Sequence, residues 1–427
     1  ADITVNGLTV GEGANSVAGN TVLGYQALDA GTGNNNTAIG YQVLTENTTG
    51  TDNTSVGKSS LDANTTGANN TALGNSALGS NTTASNNTAV GKLALFANTT
   101  GTQNVAVGAN ALDANTTAGN LTAVGYNALS ANTTGTENTA IGRQALLTNS
   151  TGNYNVAVGV NALYQSTASN NTACGNSALA ANTTGTNNVA VGFNALDSNT
   201  TANNNVAVGK DALGANTTGG SNTAIGFAAL DVNTTADNNT AVGKNALGAN
   251  TTGTQNTAVG SLALTTITTS STCAAFGYSA LKLTTAGQNS GFGAYALSTN
   301  STGTQNTALG YQALRQATTA DNNTAVGWRS MDANTTGAEN TAIGKQALFA
   351  NTTGNSNVAI GDKSLDANTT ASNNTAVGQN ALTANTTATG GTAVGNQSLE
   401  ANTTGNYNTA VGMQSLESNQ SGTDNVA

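Results

Sequence analysis

The chain of 427 residues contains no histidine and no proline, only two cysteines and one tryptophan, and only 7% of its residues are charged. Without histidine, the Ser–His and Cys–His pairs of nucleophilic catalysis and most zinc sites are excluded. No stretch approaches about 18 consecutive apolar residues, so neither a transmembrane helix nor a signal peptide is predicted. Ten basic residues stand against twenty acidic ones without a basic patch, which disfavours nucleic-acid binding. We therefore expect no catalysis, cofactor, metal site, membrane insertion or nucleic-acid partner.

The remaining composition is dominated by Asn, Thr, Ser and Gly, which is typical of disordered low-complexity chains. The order of the residues argues against disorder. One glycine recurs 24 times from Gly24 to Gly412, at steps of 17 residues with three steps of 16. The residue before this glycine is apolar in all 24 repeats, and the fourth residue after it is Leu in 23, with Met331 as the exception. Such a short fixed period predicts a solenoid whose repeats pack on their neighbours.

The consensus repeat reads N-T-A-V-G-x-x-A-L-x-A-N-T-T-G-x-x. Seventeen residues are too few for helix–turn–helix repeats, which need about 33, and Gly, Asn and Thr are poor helix formers. The Thr-Ala-Val segment alternates like a strand, with β-branched residues two apart. We predict an all-β fold, a parallel β-solenoid or β-roll of about 24 coils with two or three parallel sheets. A coil spacing of about 4.8 Å would make a rod on the order of 115 Å long.

When the repeats are aligned, each position of the repeat forms a column, and a structural role is predicted for each column. The residue before the glycine and the Leu after it are predicted to fill a thin core between the sheets. The glycine itself is expected at a corner, in a backbone conformation closed to other residues. Asn stands seventh after the glycine in 19 of 24 repeats and is predicted to form amide ladders along the axis. Representative core residues are Val158, Val191, Ile225, Leu163, Leu196 and Leu230, and representative ladder residues are Asn98, Asn115 and Asn132.

The middle residue of the predicted strand is Ala in 21 of 24 repeats. Strand alternation places it on the face opposite the residue before the glycine. A column restricted to small side chains suggests a surface that another backbone approaches closely, and on this ground we predict a homotrimer. The alternative is that Ala fills a narrow corner of a monomeric solenoid.

The chain is divided at the point where the repeats begin. Residues 1–20 lack the Leu column and are predicted to form an N-terminal cap or attachment segment, and residues 21–427 form the repeat shaft. Residues 261–293 are an irregular stretch, rich in Thr, with Phe276 and Phe292 in the column before the glycine. The sequence ends halfway through a predicted strand, whose open edge suggests end-to-end filament assembly as another form of self-association.

The two cysteines stand in different columns. Cys174 takes the place of the predicted core residue before the glycine, and Cys273 takes the place of Asn before the strand. About six coils separate them, on the order of 28 Å, which is too far for a bridge within one chain. A link between symmetry-related copies remains an alternative.

The position directly after the glycine is the most varied of the repeat and is expected to face outward. It holds six of the ten basic residues and eight of the sixteen aromatic residues. This mixture of rings and charges predicts a recognition stripe for cell-surface glycans, with a plain solvated stripe as the alternative. Its rings are Tyr25, Tyr41, Tyr126, Phe193, Phe227, Tyr278, Tyr311 and Trp328.

The repeats are similar to those of known fibrous proteins. Residues 138–142 (N-T-A-I-G) and 155–159 (N-V-A-V-G) resemble the S-V-A-I-G head repeats of trimeric autotransporter adhesins, which are left-handed parallel β-rolls. The full unit N-T-A-V-G-Y-x-A-L-x-x-N-T-T-G resembles the repeats of phage and bacterial tail-fibre-like proteins, over about 400 residues. The resemblance implies a structural fibre, the rigid shaft of a virion tail fibre or a similar extracellular appendage.

Three other functions are weighed against the fibre shaft. The first is a surface adhesin that binds host glycans through the recognition stripe, and the second is a self-polymerising extracellular filament. The third is an ice-binding solenoid, because Asn and Thr at the seventh and ninth places after the glycine form a regular polar lattice. Against ice binding, that lattice is broken at Ser166, Ile267, Thr284 and Ala317.

Overall fold

The computed structural model describes residues 2–427. Its regular structure is β-strand except for one 3₁₀ turn at Ala14–Ser16, and none of the described residues lies in an α-helix. The chain divides into two compact units, Ala1–Thr218 and Gly219–Ala427. Each unit is a parallel β-solenoid with one short strand per repeat, which confirms the predicted all-β solenoid fold.

The first unit contains fourteen strands and the second contains twelve. The strands of the first unit are β1 (Ile3–Val5), β2 (Leu8–Gly11), β3 (Thr21–Gly24), β4 (Thr37–Ile39), β5 (Thr54–Val56), β6 (Thr71–Leu73), β7 (Thr88–Val90), β8 (Val105–Val107), β9 (Thr122–Val124), β10 (Thr139–Ile141), β11 (Val156–Val158), β12 (Thr172–Cys174), β13 (Val189–Val191) and β14 (Val206–Val208). The strands of the second are β15 (Thr223–Ile225), β16 (Thr240–Val242), β17 (Thr257–Val259), β18 (Ala274–Phe276), β19 (Ser290–Phe292), β20 (Thr307–Leu309), β21 (Thr324–Val326), β22 (Thr341–Ile343), β23 (Val358–Ile360), β24 (Thr375–Val377), β25 (Thr392–Val394) and β26 (Thr409–Val411).

Successive repeat strands pair in parallel and in register, so that equivalent residues of the repeat lie side by side. Ala140 of β10 pairs with Ala157 of β11, and Ala157 pairs with Ala173 of β12, although the second step is one residue shorter. The turns therefore absorb the missing residue. Before the first repeat, β1 and β2 form an antiparallel hairpin, and β2 pairs antiparallel with β3, where it covers the edge of the first repeat strand.

Three residues other than glycine adopt left-handed backbone conformations in a typical coil. In the repeat of Gly159 they are Asn161 (φ 58°), Leu163 (φ 51°) and Asn170 (φ 61°). Left-handed residues interrupt an extended strand, so the rest of each coil consists of turns. The expectation of two or three parallel sheets is therefore wrong. The described strands of each unit belong to one sheet.

The repeat glycine lies where the backbones of adjacent coils approach each other closely. Gly192 has φ 138°, and a Cβ atom added to it would lie 2.5 Å from the carbonyl oxygen of Gly209 in the next coil. Both the backbone conformation and the contact exclude a side chain. This explains why the column admits glycine alone.

The core of each unit is thin and is built from small side chains and Leu. In the repeat of Gly159, the buried residues are Ala157 in the middle of β11 and the pair Ala162 and Leu163 in the following turn. Leu196 and Leu230 occupy the same place as Leu163 and are fully buried. Burial of each Leu contributes about 1.5–3 kcal/mol, so the Leu column supplies most of the hydrophobic stabilisation.

The residues before the repeat glycine lie outside this core, so their predicted burial is wrong. Val191 and Ile225 are 37% and 39% exposed, and Val158 is half-buried. Since neighbouring side chains of a strand point to opposite faces, a buried Ala places the residues on either side of it outward. The space between the strand and the Leu turn is narrow and is filled by Leu and by Ala in 21 of 24 repeats, with Val22 in the first repeat as its one β-branched occupant.

Because Ala is buried and the residue before the glycine lies outside the core, two further interpretations change. Ala157 and its equivalents fill the interior, so a column of small residues no longer indicates a surface for a second chain; the alternative of a narrow corner describes its position. Cys174 shares the column of Val158 and is exposed rather than buried.

Amide ladders run through the interior beside the apolar core. Nδ2 of Asn115 donates to Oδ1 of Asn98 at 3.0 Å, and Nδ2 of Asn132 donates to Oδ1 of Asn115 at 3.1 Å. All three residues are fully buried. A second ladder, four residues before the glycine, includes the bond from Nδ2 of Asn155 to Oδ1 of Asn138 at 3.1 Å. The ladders satisfy buried polar groups that the thin core would otherwise leave unpaired.

The irregular stretch 261–293 keeps the strand register and loses part of the ladder. Strands β17 to β20 remain parallel and in register. Ile267 replaces the ladder Asn and is fully buried, and Oδ1 of Asn250 in the preceding coil has no hydrogen-bond partner. Phe276 and Phe292 stack with ring centroids 4.9 Å apart. The sequence irregularity therefore changes side-chain contacts within the coils and leaves the stacking of the strands intact.

Candidate functional site

The recognition stripe predicted from the sequence lies on the surface, directly after the corner glycine. Its eight rings are between 43% and 52% exposed. The structure brings Tyr25 and Tyr41 together, stacked with centroids 5.4 Å apart. The exposed rings of the stripe are Tyr25, Tyr41, Tyr126, Phe193, Phe227, Tyr278, Tyr311 and Trp328.

Several rings of the stripe are covered by cations from the next coil or from a neighbouring residue. Nζ of Lys58 lies 5.8 Å from the ring centroid of Tyr41, and Nζ of Lys210 lies 5.9 Å from that of Phe193. Each exposed contact of this kind contributes about 0.5–1 kcal/mol. The rings and bases of the stripe therefore interact with each other along the solenoid axis.

An ionic cluster lies beside the single tryptophan. Asp332 is 1% exposed and accepts hydrogen bonds from Nε of Arg315 at 2.8 Å and from Nε of Arg329 at 2.7 Å. The guanidinium of Arg329 also lies 5.3 Å from the ring of Trp328 and 4.7 Å from that of Phe349. Because both arginines are held by one buried carboxylate, this cluster fastens adjacent coils to each other.

A second surface, which the sequence analysis missed, is formed by the repeat strands. We call it the strand face and define it as the first and third residues of β3 to β26. The third residue is apolar in all 24 strands, and the first is Thr in 17 and Val in five. Ile141, Leu309 and Ile343, at the third place, are 41%, 50% and 40% exposed. Neither column contains a charged residue.

The strand face combines this apolar column with the Thr-rich first column and extends through every repeat of each unit. Single exposed apolar residues are ordinary on a protein surface, whereas a long contiguous patch marks an interaction surface. The sequence does carry a signal for it, because the Ala column tolerates only Val22, Ser55 and Gly291 as replacements. Size restriction of this kind is expected in a closed interior as well as at an interface. If the restriction to small residues is interpreted as burial in the interior, the residues before and after Ala in the strand are predicted to lie at the surface.

The cysteines are placed differently with respect to this surface. Cys174 is the third residue of β12 and lies exposed in the strand face. Cys273 is buried, and burial raises the pKa of its thiol. Cys174 is therefore the accessible thiol of the two.

From residue 2 to residue 427, no group of three or more Cys, Asp or Glu side chains is placed to hold a metal ion. No helix in the same part of the chain is long and apolar enough to cross a membrane. Comparison of the chain with models of known protein families gives no match, and comparison with curated proteins gives none either.

Proposed function

We propose that this chain is a structural fibre protein, the rigid shaft of a phage tail fibre or a similar extracellular appendage. It acts through length and stability rather than through catalysis. The observation that carries the proposal is the strand face, which repeats one partly exposed apolar column beside a Thr-rich column, without a charged residue, in each unit. Such a surface has no role in an isolated chain in water and fits a shaft assembled from several chains.

The partner that fits the strand face is another copy of the chain. Its apolar side chains recur once per coil, at the spacing of parallel strands, so a complementary surface must repeat with the same period. A second copy aligned in parallel meets this requirement over its whole length. We propose a homotrimer around a common axis, as in the adhesin heads that the repeats resemble. The strand face, rather than the Ala column, supports this assembly.

Oxidative cross-linking through Cys174 tests the proposal. In a parallel assembly through the strand face, the Cys174 thiols of neighbouring copies lie at the same height, so mild oxidation is expected to join two of three chains. The buried Cys273 is expected to form no cross-link. Light scattering of the native protein is expected to give three times the chain mass of 41.7 kDa.

The matched control moves the thiol away from the strand face. A Cys174→Ser, Thr184→Cys double variant carries its thiol at an exposed position outside the strand and is expected to form far less covalent dimer. Val191→Lys is expected to dissociate the assembly, whereas Phe193→Lys is tolerated because the next coil has Lys210 at that place. A monomeric mass together with equal cross-linking of both thiol variants would refute the trimer. A much larger polymer would favour the end-to-end filament instead.

A further inference from the structure

A groove follows each solenoid along the turn after the corner glycine. One wall is formed by the second residue after the glycine and the other by the fifth and sixth residues. Three separate clefts of about 260, 310 and 280 Å³ lie in this groove, each at the same place in the repeat. The recurrence follows from the fold, because the fully buried Leu between the two walls draws the backbone inward and leaves the flanking side chains standing above it.

The cleft of about 260 Å³ differs from the other two in its side chains. Gln144, Asn161 and Ser177 form one wall, from three successive coils. Tyr164, Gln165 and Asp197 stand on the other wall. An aromatic ring, three amides, a hydroxyl and a carboxylate thus meet within one cleft. None of these six residues belongs to the recognition stripe predicted from the sequence.

Two acceptor groups of this cleft differ in their surroundings. Oδ1 of Asn161 is buried and makes no hydrogen bond. Asp197 is half-buried, and burial raises the pKa of its carboxyl, although a hydrogen bond of 3.4 Å from the Ser198 hydroxyl opposes the shift. A ligand that brings hydroxyl donors would add a hydrogen bond to the partly exposed carboxylate of Asp197.

We propose that this cleft binds a neutral sugar residue of a glycan. The hydroxyls of a hexose donate hydrogen bonds to Asp197 and exchange further bonds with the amides of Gln144 and Gln165. The C–H face of the sugar packs on the ring of Tyr164. The ligand is neutral because the cleft contains a carboxylate and no cation, so an acidic sugar would be repelled.

The two other clefts lack part of the set of side chains found in the proposed site. The cleft of about 280 Å³ is lined by Asp29, Glu46 and Asp62, and the Thr45 hydroxyl already donates to the carboxylate of Asp62. The cleft of about 310 Å³ is lined by Asp231, Asn245 and Thr265 without an aromatic ring. Of these three clefts, the one at Tyr164 alone combines a ring for stacking with amides and a carboxylate.

Saturation-transfer difference NMR on the full-length protein tests the site. The probes are disaccharides of glucose, galactose and mannose in α and β linkage, with a sialylated trisaccharide as the acidic probe. Saturation transfer to at least one neutral probe is expected, and none to the acidic one. Tyr164→Ala and Asp197→Asn are each expected to weaken binding at least tenfold, whereas Tyr164→Phe retains it because the ring remains.

The repeat supplies matched controls at equivalent places in other coils. Phe96→Ala removes a ring and Asp231→Asn removes a carboxyl at the same position of the repeat, so both are expected to leave binding unchanged. Circular dichroism checks that each variant is folded. The proposal fails if no neutral probe receives saturation, if the acidic probe binds instead, or if the control variants weaken binding as much as the site variants. Chain count and cross-linking are separate readouts, so failure here leaves the proposed shaft untouched.

Discussion

At the scale of single residues, buried asparagines decide how well each coil is joined to the next. Where the ladder is complete, each amide both donates and accepts along the axis, as Asn115 does between Asn98 and Asn132. Where the ladder is broken, an amide oxygen is left without a hydrogen-bond donor. Oδ1 of Asn300 is buried without a partner, and the next coil has Ala317 at the ladder position.

We expect opposite effects from removing and from restoring a ladder residue. Asn115→Ala leaves two amides and a backbone carbonyl short of partners and is expected to lower the free energy of unfolding by roughly 2–3 kcal/mol. Ala317→Asn gives Oδ1 of Asn300 a donor and is expected to raise the free energy of unfolding by about 1 kcal/mol. Denaturant unfolding followed by circular dichroism measures both values.

The control for the restored residue is Gln316→Asn, which places the same side chain at the neighbouring exposed position. Its effect is expected to stay within about 0.5 kcal/mol. If Ala317→Asn destabilises the protein, or if Asn115→Ala is neutral, the ladders do not contribute to stability in the way described.

At the scale of the element, each repeat strand has three residues and one orientation. The orientation is set by the middle side chain, which must fit between the strand and the Leu of the following turn. Ala190 in β13 is fully buried, whereas Val191 next to it is 37% exposed. Although Val is the more hydrophobic residue, the width of the coil determines which of the two is buried.

Enlarging the middle residue tests this orientation. Ala190→Val adds two methyl groups to a closed interior and is expected to lower the free energy of unfolding by about 1–3 kcal/mol. The matched control is Ala181→Val, since Val232 occupies the equivalent place in another coil and is 39% exposed there. Thermal unfolding of both variants gives the comparison. A neutral Ala190→Val beside a destabilising Ala181→Val would contradict the observed orientation.

At the scale of the molecule, the repeat is the unit of stability. A coil has no core of its own, and its Leu, its ladder Asn and its glycine all contact the coil before or after it. Stability in such an array is close to a sum over neighbouring interfaces. The number of residues between one strand and the next must therefore match the repeat period if these contacts are to form.

Two deletions test this requirement, one of a whole coil and one of about half a coil. Removal of residues 92–108 takes out one complete coil and is expected to leave a folded, cooperative protein of slightly lower stability. Removal of residues 92–99 leaves about half a coil between β7 and β8 and is expected to disrupt the stacking there. Circular dichroism and limited proteolysis measure both, and equal damage from the two deletions would overturn the account.

Much of the fold could be predicted from column statistics. The glycine period specifies the solenoid, Leu163 and its equivalents specify one side of the core, and Asn98, Asn115 and Asn132 specify a ladder, because identical residues at a fixed period must stack. The recognition stripe is exposed for the same reason, since variable positions lie outside a repetitive core. The cleft at Tyr164 could not be predicted in this way, because its residues come from four coils and from three different columns.

The sequence by itself determined the all-β solenoid, its period and the identity of the columns, because local strand patterns and repetition are properties of the chain order. Only the tertiary structure decided which side of the strand is the interior, since Thr-Ala-Val alternates equally well in either orientation. The left-handed turns at Leu and at the residue two positions before it bring the Leu side chain inward, close to the strand. The resulting space is filled by Ala in 21 of 24 repeats, and Val22 in the first repeat is its one β-branched occupant. This packing constraint places the apolar columns outside, where they form the strand face.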